Sequence, residues 1–202
     1  MPLYDSQAKE LIALLQEDQA EIKKLGRDFF TCSPEEYESR QQASREHIRR
    51  RMDRALEVMA EVGTPSIGNI GAEAAQALSV LALHDGVALK EVLRAFDDVY
   101  SADKQDCYYQ AIPAMTDWLL LLERKPQRFA TQWLFDDTKQ PFLPTTEDFS
   151  CVNERRAEYG IEPLRWPKSL AIPESDQPWL TRPLSELTMR DLTDEEYRRL
   201  TV

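Results

Sequence analysis

Apolar residues recur along the first half of this chain at steps of three, four and seven. Leu11, Leu14, Leu15, Ile22 and Leu25 share one face of a helix over residues 6–25, with Gly26 as a plausible stop. Ser33-Pro34-Glu35-Glu36 starts the next helix. Ser33 can cap it, Pro34 suits the first helical position, and Glu36 completes a capping box. Its core stripe is Ile48, Met52, Leu56 (with Ala55), Met59 and Val62, and Gly63-Thr64-Pro65 breaks it. Ser66 to Asn69 open a third helix, roughly 70–84, that Gly86 ends. A fourth, about 87–99, carries Val92, Leu93, Phe96 and Val99. A fifth, about 103–123, contains Pro113. Proline lacks the N–H that would reach the Tyr109 carbonyl, so a kink or split is expected there.

The texture changes after Pro126. Arg128 to Phe135 mixes aromatic and β-branched residues, and Asp136-Asp137-Thr138-Lys139 follows, a pattern of short strand and turn. Ser150 to Tyr159 is helical in pattern and stops at Gly160-Ile161-Glu162-Pro163. Residues 163–185 hold five of the twelve prolines and are expected to wrap the body as extended coil; Thr193 and Glu196 form a second capping box on a short helix, 193–200. The fold expected is mainly α: a single-domain bundle of five or six helices over residues 1–165, with a small irregular or β-hairpin element near 128–145. Residues 166–202 form a Pro-rich tail packed on it.

Composition narrows the function classes. With 42% apolar and 30% charged residues, 202 residues can build an ordinary core. The net charge of −11 disfavours nucleic acid and anionic membranes as partners. The N-terminus lacks a basic segment followed by an apolar one, and the longest apolar run, Trp118 to Leu122, is far too short to span a bilayer. Cys32, Cys107 and Cys151 are odd in number, widely spaced and free of any CxxC pair. They are expected to be free thiols in a reducing, cytoplasmic setting.

Two polar stripes carry candidate chemistry. On the third helix Asn69, Glu73, Gln76, Val80 and His84 fall within about 80° of one another on an otherwise apolar cylinder. The plain reading is a solvent-facing stripe. The functional one is the polar wall of a pocket, with His84 at a helix C-terminus whose dipole favours its protonated form. On the fifth helix Asp117 interrupts an apolar run and shares a face with Gln110 and Arg124. If buried it needs a partner, and Arg124, Arg155 and Arg156 are candidates. Ser44 to Arg54 holds five arginines, expected to lie on a solvated helix face with Glu46 and Asp53 as local partners. His47 and His84 are the only histidines and no HExxH, GxSxG, P-loop or GxGxxG motif occurs, so neither a metal nor an organic cofactor is expected.

Several stretches together resemble a widespread bacterial family of unknown function, the domain of unknown function numbered six-six-two-four. They are Gly63-Thr64-Pro65 with Ile70-Gly71; the Ala-rich helix ending in His84; Asp117 followed by Glu123-Arg124-Lys125-Pro126-Gln127; Thr131-Gln132; and Val152-Asn153-Glu154-Arg155-Arg156 with Gly160-Ile161-Glu162-Pro163-Leu164. The resemblance spans roughly residues 45–165. Thr64 replaces an aromatic, Ala130 a glycine and Asn153 an aspartate of that pattern. It implies no reaction, and points to His84, Asp117, Gln127, Gln132 and Arg155 as a constellation.

The leading expectation is a small-molecule enzyme or ligand-binding protein. His84 would be its acid–base group, Asp117 the orienter or a second base, and Arg155 an anion clamp, with Glu73, Gln76, Gln127 and Gln132 as polar contacts. The alternative is a non-enzymatic interaction module, of immunity or regulatory type, whose acidic surface or Trp166 and Trp179 meet a protein partner.

Overall fold

The computed structural model describes residues 2–135, 141–164 and 181–182. The chain is mainly helical, as its periodicity predicts, and divides into two compact units, Met1–Tyr109 and Gln110–Val202. The sequence-based boundary at 165 falls inside the second. Residues 136–140 and most of the expected Pro-rich tail, including Trp166, Trp179 and the helix expected at 193–200, lie outside the described residues.

The first unit is built from α1 (Asp5–Thr31), α2 (Pro34–Val62), α3 (Ile67–Asp85) and α4 (Leu89–Ala102). α3 packs against the other three, and α1 also packs on α2. Gly26 does not stop α1. An exposed glycine costs a helix only about 1 kcal/mol against alanine, and burial of Leu25 and Asp28 on either side of it carries the helix on to Thr31. α2 begins where predicted, with both halves of the Ser33–Glu36 capping box formed. Its core face is Ile48, Met52, Ala55, Val58, Met59 and Val62, so Val58 joins the stripe, while Leu56 is only half-buried.

α3 starts earlier than its periodicity suggests because Ser66 caps the Asn69 N–H. Its first turn is set off by Gly71, whose φ of 80° and ψ of 159° belong to a region nearly restricted to glycine. The carbonyls of Gly68 and Asn69 accept the backbone N–H groups of Leu3 and Tyr4 at 3.0 and 2.8 Å, which ties the N-terminal segment to this break. Gly86, in the left-handed region, ends the helix beside His84.

Two short 3-10 turns, Lys104–Asp106 in the first unit and Tyr109–Ala111 across the division between the units, replace the first half of the expected fifth helix. α5 runs from Ile112 to Leu122. Pro113 therefore sits in its first turn, where a missing N–H costs nothing, and it opens the helix instead of kinking it. α5 ends with Arg124 N–H bonded to the Leu121 carbonyl and Lys125 N–H to that of Leu120. This is a Schellman arrangement with Arg124 at the left-handed position, φ 59°. Glycine is the residue that adopts this conformation without strain, so Arg124→Gly is expected to raise stability by up to about 1 kcal/mol. A denaturant midpoint that stays or falls would contradict it.

β1 (Leu134–Phe135) pairs antiparallel with β2 (Pro141–Pro144), which pairs in parallel with β3 (Thr181–Arg182). α6 (Val152–Glu158) follows a 3-10 turn and stops before Gly160, φ 62°. Ala130, Leu143 and Val152 form a small core here, covered by Trp133, Phe149 and Leu164.

Candidate functional site

The first unit holds a buried polar centre that begins with Asp18. On α1, Leu11, Asp18 and Leu25 are seven residues apart and all three are buried, so Asp18 occupies a place in the apolar stripe and is 0% exposed. An isolated carboxylate there is costly unless it is partnered. Asp18 Oδ2 bonds Nδ1 of His84 from α3, and its Oδ1 accepts from Arg51 Nε of α2 at 3.4 Å. Arg51 Nη2 in turn donates to Glu21 Oε2 at 3.4 Å. Ser44 Oγ donates to Glu21 Oε1 at 2.6 Å, and His47 Nδ1 lies 3.5 Å from Glu21 Oε2. The Ser44 hydrogen bond is the main cause that holds the Glu21 carboxyl below its ordinary range.

His84 is held from two sides. The side chain of the next residue, Asp85, accepts Val87 and Ala88 N–H at 3.0 and 3.1 Å and Arg49 Nε at 2.6 Å, which fixes the turn after α3. Because a carboxylate can only accept, the Nδ1 of a neutral His84 carries the proton and Nε2 keeps a lone pair. The His84 side chain is 21% exposed and Nε2 has no partner among the described residues. The ring is therefore fixed through one nitrogen and open at the other.

The second unit holds a different arrangement. Asp117, also 0% exposed, accepts Arg128 N–H at 2.7 Å and Phe129 N–H at 2.9 Å on Oδ1, and the Thr131 N–H and hydroxyl at 2.8 Å each on Oδ2. These four donors fill the roughly four lone-pair sites of a carboxylate. Burial pushes its carboxyl above the ordinary range, and the same four donors oppose that. Gln127, fully buried, bridges the loop through its amide. Its Oε1 accepts Gln132 N–H at 2.8 Å and its Nε2 donates to the Gln132 carbonyl at 3.1 Å. Gln132 Nε2 donates to the Ala114 carbonyl at 3.1 Å. Arginines take the loop's carbonyls: Arg155 Nε bonds that of Arg128 at 2.7 Å, and Arg156 Nη1 that of Phe129 at 2.9 Å. The loop thus turns its N–H groups to an anion and its carbonyls to cations, and this holds Ala130 at φ 54°.

The residues singled out from sequence separate accordingly. His84 finds an orienting carboxylate, but it is Asp18 and not Asp117. Asp117, Gln127, Gln132 and Arg155 build a loop cradle, and the expected arginine partner of Asp117 is replaced by backbone amides. Glu73 and Gln76 are exposed on α3, which matches the plain reading of that stripe. Asn69 does not extend the stripe: its amide caps the carbonyls of Val62 and Thr64. The arginine run of α2 is not a set of local pairs with Glu46 and Asp53. Arg49 reaches Asp85, Arg51 reaches Asp18 and Glu21, and Arg54 reaches Glu10 as well as Glu57 and Glu61.

Asp18, Glu21, Ser44 and Arg51 were missed. Asp18 left a signal, a charged residue four after Leu14, three after Leu15 and four before Ile22, inside the stripe itself. Of the three free thiols, Cys107 is buried and its thiol is pushed up to about 11 by that burial, which suits a core residue and not a nucleophile. Among the described residues, no group of three or more His, Cys, Asp and Glu is arranged to hold a metal ion, and no helix is long and apolar enough to cross a membrane.

No family model, curated protein or solved structure matches the chain. In the second unit Asp117, Gln127, Thr131, Gln132, Arg155 and Arg156 bind one loop, and Asn153 Oδ1 accepts the Leu164 N–H at 2.7 Å.

Proposed function

We propose that this protein acts on a small molecule by acid–base chemistry at His84, with Asp18 as the carboxylate that orients it. One observation carries the reading: a carboxylate buried in an apolar stripe holds Nδ1 of a histidine whose Nε2 is open. In that arrangement Nε2 can take a proton from a substrate O–H, N–H or activated C–H, Asp18 stabilises the imidazolium that forms, and the proton is then returned. Stability alone is a poor reason for such a centre, since a buried ion pair often contributes no more than apolar side chains of the same volume. The chemistry needs no organic cofactor. The free thiols fit the cytoplasm of a bacterium, the setting that the family resemblance implies.

The test is a panel of ester, amide, phosphoester and proton-transfer substrates, with wild-type protein, His84→Ala and His47→Ala side by side. The expected result is turnover of one class that falls about 10²–10⁴-fold in His84→Ala and is retained in His47→Ala. Equal rates in wild type and folded His84→Ala across every class turned over would sink the proposal. A second reading, a protein-interaction module, draws on the exposure of Glu73 and Gln76 and on the net charge of −11. Stoichiometric recovery of one basic protein, lost on reversing the charge at Glu73, would favour it.

A further inference from the structure

The Asp18–His84 pair does not stand alone, and what lies behind it bears on how the pair is kept in register. A carboxylate buried between helices can turn about χ2, and at intermediate angles neither oxygen reaches the imidazole. Three features oppose that here. Arg51 Nε lies on Oδ1, the oxygen that His84 does not use. The Arg51 side chain is itself nearly buried, 12% exposed, so its charge does not swing freely in solvent. Its Nη2 is held by Glu21, which Ser44 and His47 hold in turn from α2. The chain of contacts runs from α3 to α1 to α2, back to α1 and again to α2.

We propose that Arg51 is a positioning residue for this site: it fixes the plane of the Asp18 carboxylate so that an oxygen stays on His84 Nδ1, and Glu21 fixes Arg51. The inference rests on the acid–base reading of His84. Charge supports it. Two carboxylates flank one guanidinium, so Arg51 remains bound to Asp18 without leaving an uncompensated positive charge beside the ring. If Arg51 or its anchor is weakened, the Asp18 carboxylate is free to turn. The imidazole then loses the bond that selects the Nδ1–H form, and a growing share of rings carries the proton on Nε2, where it blocks the base.

The experiment is imidazole nitrogen NMR of His84 in wild type, Arg51→Lys and Glu21→Gln, read in the pH range where the ring is neutral. Arg51→Lys keeps the charge and loses the fork. Glu21→Gln leaves Arg51 in place and removes its anchor, and is the second variant should Arg51→Lys fail to fold, as judged from the amide spectrum. The expected result is a roughly tenfold shift of the tautomer ratio toward Nε2–H in each folded variant, the size that goes with loss of one well-aligned charge-assisted hydrogen bond. An unchanged ratio in the folded variants would overturn the proposal. The readout is independent of turnover. A tautomer shift in a protein that turns over nothing would leave the positioning role standing and remove the function, and an active protein with an unmoved ratio would do the reverse.

Discussion

Asp117→Ala is expected to lower stability by about 4 kcal/mol. The figure follows from what the substitution leaves behind. Three backbone N–H groups, of Arg128, Phe129 and Thr131, and the Thr131 hydroxyl all end on this one carboxylate. A buried donor that loses its acceptor costs about 1–3 kcal/mol, and local rearrangement toward water recovers part of the sum. Loss should be felt first in the 127–132 loop, where Gln127, Arg155 and Arg156 would still grip a backbone that has lost its anion. Denaturant unfolding measures the total, and hydrogen exchange of the Phe129 and Thr131 amides locates it. A loss below about 1 kcal/mol would mean that the loop finds other acceptors and that Asp117 is free for chemistry after all.

Asp18→Ala should cost a comparable amount, about 3–5 kcal/mol, because it removes the buried carboxylate that both Arg51 and His84 bond. The informative contrast is a set of changes. Asp18→Leu combined with Arg51→Met and His84→Leu replaces the whole centre by apolar groups of similar size, and such replacements are often neutral or stabilising by about 1–4 kcal/mol. We expect this triple variant to fold at least as well as Asp18→Ala does poorly, and to be inert toward any substrate the wild type turns over. A triple variant as unstable as the single one would make the centre a structural requirement and weaken the functional reading.

How much of this was legible from sequence varies with the range of the interaction. The start of α2 and the ends of α2 and α3 were readable because they are local: the Ser33–Glu36 box and the Gly63 and Gly86 stops depend on a few adjacent residues. The end of α1 was not, because tertiary burial of Leu25 and Asp28 outweighs the intrinsic cost of Gly26. Pro113 was misread for a related reason. Whether proline breaks a helix or begins one depends on where the preceding turn ends, and the 3-10 turns before it carry no strong periodic signal.

The site was half legible. His84 and Asp117 were recognised as polar groups in apolar settings, and both do make buried polar contacts. Which carboxylate meets which donor is decided by long-range placement: His84 and Asp18 are 66 residues apart in sequence. Asp117 looked like a base because an isolated Asp in an apolar run is rare. The backbone amides that saturate it leave no mark in a sequence.

The acid–base reading stands or falls on the tautomer of one ring. Nitrogen NMR of the wild-type His84 imidazole, followed over pH into the range where the ring is neutral and assigned by its absence in His84→Gln, reads it. In the neutral ring the proton is expected on Nδ1, hydrogen-bonded to Asp18, with the lone pair on Nε2. A ring that carries its proton on Nε2, or one that exchanges freely between the two forms, would contradict it.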